Sequence, residues 1–506
     1  MIDLTPIIRI GFEKLAKRTD SWATSSDTLQ TNVLRSLLQR GADTEYGRRL
    51  DFTGALGSKN TYATFSRLPL MEYEEMRPLV MRMVKGEKDV LWPGRCRDFA
   101  QSSGTSGGKS KFIPITEDSL HGNHYPGGAD VVAHYLRQVR ESRLFSGRGF
   151  ILGGSFSNTL GIKEGNVHVG DLSATLIRRI NPLANIYRIP DKKTALMPDW
   201  ETKLPALVKA ASDENVTNIS GVPSWFLTVI RNIMVAKGVD NISEVWPNLE
   251  VFFHGGISFE PYRDEYKKIT NPGKMHFLET YNASEGFFGV QNDFSDPSLL
   301  LIIDRDVFYE FIPVEGSDKR PRPIWELEKD RVYEMLISAS NGLWRYHLGD
   351  TVRVTSTAPV KIRIAGRTKS FINAFGEELM EDNAEKAMAA ACDRCGCAII
   401  NYTTAPIFAS KGRRGRHQWL VEWEKAPADN RQFAMTLDEE LRKLNSDYDA
   451  KRSHTIFLDP PEVITAPAGL FDRWLKSAGS HKLGGQRKVP RLSNNRDLIE
   501  RLLDLM

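Results

Sequence analysis

Apolar residues at Leu29, Val33, Leu34, Leu37 and Leu38 recur at the spacing of one helix face, so the first fifty residues are predicted to be helical. From about residue 96 to 290, short apolar runs alternate with amphipathic stretches: 149–152, then 216–220 followed by 224–236, then 249–253. Such alternation predicts strand–helix units around a largely parallel sheet. Between about 298 and 365 the strand candidates crowd together, at 299–303, 307–312, 332–338, 343–346, 351–354 and 360–364. Few helical patterns intervene, which predicts an antiparallel, barrel-like subdomain. Beyond Gly366, helix candidates at 377–393, 432–445 and 469–477 alternate with strand candidates at 398–403, 418–423 and 454–458. The expected fold is therefore α/β, with a large N-terminal domain, 1–364, and a smaller α+β C-terminal domain, 365–506.

Composition narrows the class without choosing a function. With 41% hydrophobic and 26% charged residues over 506 positions, the chain has material for two or three cores and is not disordered. No run approaches the roughly 18 apolar residues that a membrane span needs, so no membrane partner is expected. A balance of 68 basic against 64 acidic residues leaves a net charge of +4, too small to indicate nucleic acid. The basic run from Lys411 to Arg416 lies between two strand candidates and reads as a solvated turn. The opening residues carry an acid at Asp3 and no small-residue cleavage site, which predicts a cytoplasmic protein without a secretory signal. Three of four cysteines, Cys392, Cys395 and Cys397, crowd together without a fourth ligand for a metal, and read as reduced thiols at a helix end.

Local chemistry concentrates in the run from Gln101 to Thr116, which holds three glycines and six serines or threonines. Small residues let backbone N–H groups approach anionic oxygens, and hydroxyls add uncharged donors, so the loop suits phosphate. It is not a Walker loop: that motif needs glycine where Ser103 stands. On composition alone a flexible linker remains the alternative. Two further segments bear on the choice. Thr280 to Gly286 combines an aromatic ring, small residues and a carboxylate, which can serve a purine and Mg²⁺. Arg345 to Asp350 falls between strand candidates, so Asp350 is expected at a tight turn, able to accept ribose hydroxyls or to bond its own backbone.

In this order the three segments resemble the adenylate-forming superfamily and, more narrowly, the acyl-acid amido synthetases of the auxin-responsive family. The family pattern Ser-Ser-Gly-Thr-Ser followed by Gly and Lys is matched from Ser102 to Lys111. Its Tyr-x-Ala-Ser-Glu-Gly element is matched from Tyr281 to Gly286, and Tyr-Arg-x-Gly-Asp from Tyr346 to Asp350, with His347 in place of Arg. Weaker matches run from Gly41 to Gly47, Gly221 to Phe226, Phe253 to Gly256, at Gly366-Arg367 and from Lys488 to Arg491.

The resemblance implies an enzyme that uses ATP and Mg²⁺ to activate a carboxylic acid as its adenylate, then transfers the acyl group to an amino acid or another amine. An acyl-CoA ligase and a non-catalytic nucleotide-binding relative are the alternatives. It implies that Ser102, Ser103, Gly104, Thr105 and Ser106 cradle phosphate and that Lys111 adds charge, unless Lys111 is a solvated loop lysine. Glu285 is expected to hold Mg²⁺ or to cap a helix start. Tyr281, Asn282, Ala283 and Ser284 are expected near the base, Gly255 and Gly256 beside it, and Asp350 at the ribose. Arg367 marks a hinge, and Lys488 closes over the nucleotide in competition with Lys482 and Arg487. Ser224, Trp225 and Phe226 are expected at the acyl pocket of a monomer.

Overall fold

The computed structural model describes the chain except for residues 1–2, 103–109, 159, 163–165, 260–261, 315, 368–370, 410–412, 454–457 and 478–488, and the side chains of 366, 367, 382, 472 and 475–477. It divides into two compact units, Met1–Ser102 with Lys111–Thr368, and Lys369–Met506.

The strands of the larger unit are, in chain order, β1 (Asp98–Ser102), β2 (Lys111–Ile115), β3 (Arg148–Ile151), β4 (His168–Gly170) and β5 (Arg188–Ile189). There follow β6 (Val216–Gly221), β7 (Val251–Gly255), β8 (His276–Ala283), β9 (Gly286–Asp293) and β10 (Asp296–Leu301). The last five are β11 (Val307–Pro313), β12 (Arg322–Pro323), β13 (Val332–Ala339), β14 (Tyr346–Thr357) and β15 (Val360–Arg367). A small sheet has the order β2-β1-β4, and one 12-stranded sheet has the order β12-β11-β13-β14-β15-β10-β9-β8-β7-β6-β3-β5. Strands β5, β3, β6, β7 and β8 pair in parallel, as the strand–helix alternation predicts. The closely spaced strands pair antiparallel and continue from β8 in the same sheet.

That antiparallel half is bent. Three strands separate β8 from β14, so in a flat sheet at roughly 4.8 Å per step they would stand about 19 Å apart. Yet the Tyr281 hydroxyl on β8 donates to the Asp350 carboxylate on β14. The curl that this contact requires is the barrel-like feature expected from strand spacing.

Helix Trp22–Gly41 lies against the antiparallel strands with Leu34, Leu37 and Leu38 buried. Gln30 on the same face ties it down: its amide donates to Ile303 C=O at 2.7 Å and Val307 C=O at 2.8 Å and accepts from Tyr309 N–H at 2.9 Å. In the smaller unit, Ala398–Ile407, Arg416–Lys425 and Glu462–Thr465 form a three-stranded sheet. Helices Glu381–Cys395 and Asn430–Leu444 contribute to its core. Cys392, Cys395 and Cys397 are free thiols at the end of the first helix, where Gly396 forms a left-handed cap at φ 63°. Among the described residues no helix is long and apolar enough to cross a membrane.

Two local expectations change. Of the strand expected at 343–346 only Tyr346 is in a strand, as the start of β14; residues 343–345 belong to the turn before it, with Leu343 and Trp344 buried by packing and Arg345 left-handed at φ 46°. Asp350 is not at a turn: β14 runs through it, and Gly349 at φ 86° forms a bulge. There Met335 of β13 faces three residues, Leu348, Gly349 and Asp350, because Leu336 pairs with His347 and Glu334 with Thr351. Glycine permits the positive φ that such a bulge uses.

Behind that turn the Arg345 and Glu310 side chains, 3% and 1% exposed, form a two-pronged ion pair with both contacts at 2.8 Å. Removing one member of a buried pair strands a charge at a cost of about 3–5 kcal/mol. Glu310→Ala is therefore expected to lower the calorimetric melting temperature clearly, and the double variant Glu310→Leu/Arg345→Met to recover most of the loss. A double variant no more stable than Glu310→Ala would contradict this account.

Candidate active site

Lys111, first residue of β2, is 5% exposed and faces the interior, which removes the solvated alternative. Its ammonium donates to the Tyr346 hydroxyl at 2.9 Å and lies 5.6 Å from the Tyr73 ring centre and 5.5 Å from that of Tyr346. Aromatic faces and a phenol oxygen are an electron-rich cage for a cation, and low dielectric strengthens each contact. Tyr73 is held in turn, accepting the Phe112 N–H at 2.6 Å. Burial pushes the Tyr73 hydroxyl up to about 12 against the pull of that amide, and the negative charge of Glu285 adds to the rise. Glu285 thus lies within electrostatic range of the residues around Lys111.

Glu285 occupies the two-residue turn between β8 and β9, where Ala283 pairs with Gly286, and not a helix start. Its backbone C=O accepts from the Asn341 side chain at 3.0 Å, which holds the hairpin tip. Asn282, Ala283 and Ser284 are half-buried on the same hairpin. Tyr281 is buried edge-on against Phe288, with ring centres 5.1 Å apart, and its hydroxyl is bonded to Asp350. Tyr281 and Asp350 are bonded directly, Lys111 is bonded to Tyr346 on the strand that carries Asp350, and Glu285 stands on the hairpin that carries Tyr281, so three distant segments of the sequence are linked through β2, β14 and the β8–β9 hairpin. Ser102 is the register partner of Lys111, and Arg367 pairs in register with Asp350. Among the described residues no three His, Cys, Asp or Glu side chains cluster to hold a metal. A single carboxylate at a hairpin tip suits Mg²⁺ that arrives with phosphate, because Mg²⁺ keeps waters and needs only one or two protein ligands.

The remaining candidates line the carboxyl ends of the parallel strands, where open α/β sheets hold ligands. A side chain on Gly255, the last residue of β7, would stand 2.5 Å from the Thr280 C=O, so the neighbouring strand itself demands glycine there. Gly256 follows at φ 83°. Helix Pro223–Lys237 starts directly after β6 and brings Ser224, buried, and Trp225, half-buried with its ring 6.1 Å from Trp200. Phe226 is fully buried, edge-on to Phe150 at 5.3 Å and Phe252 at 5.4 Å, and is a core ring behind them. Ser103, Gly104, Thr105, Ser106 and Lys488 lie outside the described residues, as does the Arg367 side chain.

Sequence reasoning missed several members of the set. Tyr346 stood inside a recognised motif without a role, and Asn341-Gly342 is a turn pair whose side-chain target no local pattern reveals. Tyr73, which lies beside the Lys111 ammonium, carries no sequence signal.

Models of three successive domains of one family match the chain: the GH3 family N-terminal domain over residues 16–275, the central domain over 300–367 and the C-terminal domain over 382–497. The chain belongs to the GH3 family. Among GH3 proteins, the indole-3-acetic acid-amido synthetase GH3.4 of Arabidopsis thaliana is 24% identical over 94% of this chain and 91% of its own. A solved GH3.15 acyl acid amido synthetase in complex with 2,4-DB has a TM-score of 0.60 at 20% identity, covering 98% of this chain and 96% of that one. A 2-hydroxyisobutyryl-CoA ligase, solved with 2-HIB-AMP and CoA, has a TM-score of 0.57 at 12% identity, covering 95% and 92%. Both establish the fold.

His347, which stands where the GH3 motif has Arg, places Nδ1 2.7 Å from Glu334. Burial opposes its charge, but the hydrogen bond and charge of Glu334 outweigh burial and raise its pKa above the ordinary value. A raised folded pKa contributes stability that is complete below the unfolded value, about 6.5, and fades as pH rises through the folded value. The melting temperature of the wild type should therefore fall more from pH 6 to 8.5 than that of Glu334→Gln; parallel curves would refute the assignment.

Proposed function

We propose that this GH3 chain is an ATP-dependent acyl-acid amido synthetase. A carboxylate oxygen of the acid attacks the α-phosphorus of ATP, the bond to pyrophosphate breaks, and an acyl-adenylate forms. The amine nitrogen of an amino acid or related amine then attacks the acyl carbon, AMP leaves, and the nitrogen loses a proton. The reading is supported by the Tyr281–Asp350 hydrogen bond, which ties the hairpin of Glu285 to β14, the strand whose Tyr346 accepts from Lys111, within a GH3 chain.

Two anions must be held in line, so positioning and fixed positive charge should supply most of the rate. Lys111 is suited to this, because its ammonium is buried and oriented by Tyr346 before any substrate arrives. Asp350 is suited to a ribose hydroxyl, which would share the carboxylate with Tyr281. Glu285 would hold Mg²⁺, whose charge offsets that of the phosphates. The loop from Ser102 to Ser106 is the proposed phosphate cradle, with Gly255, Gly256 and residues 281–284 at the base. Ser224 and Trp225, backed by Phe226, are proposed for the acyl acid. Arg367 is the proposed hinge, and Lys488 is proposed for the nucleotide.

ATP–pyrophosphate exchange against aryl, indolyl, jasmonate-like and fatty acids, followed by mass spectrometry with mixed amino acids, tests the reading. Exchange with at least one acid and an amide product are expected; a CoA thioester without amide would move the chain to the acyl-CoA ligases. Asp350→Ala and Glu285→Ala should each slow exchange by about tenfold to a hundredfold. Wild-type rates in both would overturn the nucleotide-site assignment.

A further inference from the structure

Between β2 and helix Tyr125–Gln138, residues Leu120–His124 form one π-helical turn. A π turn carries an extra residue at poorer hydrogen-bond geometry and recurs at functional sites. Here it presents two consecutive side chains to the two strands of the hairpin that holds Glu285. Asn123, 2% exposed, accepts the Phe287 N–H at 2.6 Å and donates to the Phe287 C=O at 3.0 Å and the Arg305 C=O at 2.9 Å. One side-chain amide therefore occupies both backbone groups of a residue two positions past Glu285. His124 faces Asn282 on β8, and burial pushes its pKa down to about 4 against the opposing effect of the Asn282 side chain. His124 is thus the neighbour of β8 while Asn123 grips β9. Gly286 allows the close fit, since a side chain there would stand 2.7 Å from the Phe288 ring and 3.3 Å from the Asn123 oxygen.

We propose that Asn123 is a positioning residue for Glu285: by fixing Phe287 it sets where the carboxylate at the hairpin tip meets Mg²⁺ and the ATP phosphates. This rests on the adenylate-forming reading above. The Asn123 amide is occupied by the Phe287 and Arg305 backbone, so its proposed action runs through the backbone of the hairpin.

Gln30 supplies the control, because it is as buried as Asn123 and makes as many hydrogen bonds, but to Ile303, Val307 and Tyr309 rather than the hairpin. Asn123→Leu and Gln30→Leu should both lower the melting temperature. Only Asn123→Leu should raise the Mg²⁺ concentration for half-maximal pyrophosphate exchange, by about tenfold or more. Calorimetric titration of ATP should show the same weakening with Mg²⁺ present and wild-type binding without it. Asn123→Asp, which retains the acceptor for the Phe287 N–H, should fall between, and it decides the matter with the same readouts if Asn123→Leu does not fold. An unchanged Mg²⁺ requirement in the Asn123 variants, or an equal shift in Gln30→Leu, overturns the proposal. A wild type inactive with every acid defeats the functional reading and this proposal with it, whereas an active wild type with unmoved variants defeats only this one.

Discussion

The Tyr281 hydroxyl can reach Asp350 only because the sheet bends back on itself between β8 and β14. That bend is what joins the hairpin of Glu285 to the strand of Tyr346. The same β14 receives the Lys111 ammonium at Tyr346, and the charge of Glu285 on the hairpin is felt by Tyr73 beside that ammonium. The bulge at Gly349 contributes, since three residues opposite one locally increase strand twist. A glycine at φ 86° is the local chemistry that makes this possible without strain.

Burial does the electrostatic work. Lys111 keeps its ammonium out of solvent with aromatic faces and a phenol oxygen around it. The residue preceding Tyr346 is Arg345, whose guanidinium is locked to Glu310 and donates to the Ser66 and Leu68 carbonyls. The tyrosine that orients Lys111 is thus anchored through its neighbour to a buried ion pair. Preorganised charge of this kind acts on a ligand without having to reorganise when the ligand arrives.

Features written in local period or in ordered motifs were legible in the sequence. The helix face at Leu34, Leu37 and Leu38, the parallel strands and the crowded antiparallel ones follow from spacing, and Lys111, Glu285 and Asp350 were singled out by ordered motifs. What escaped depends on tertiary contact. Leu343 and Trp344 are as apolar as a strand, yet they are buried in a turn, where a side chain on Gly41 would stand 2.6 Å from the Trp344 ring. Asp350 beside a glycine reads as a turn, and only the partner strand distinguishes a bulge. Tyr73 and Asn123 act as single side chains from helical segments, and nothing in their neighbours states what each faces.

The contact between Gly255 and Thr280 also limits how the crevice can diversify. With a prospective side chain only 2.5 Å from a backbone oxygen, no substitution at Gly255 fits without parting β7 from β8. The junction of β7 with β8 is therefore closed to variation at this position. Descendants of this chain can drift only where a side chain is not wedged against a neighbouring strand, so change must collect around Gly255 and never at it.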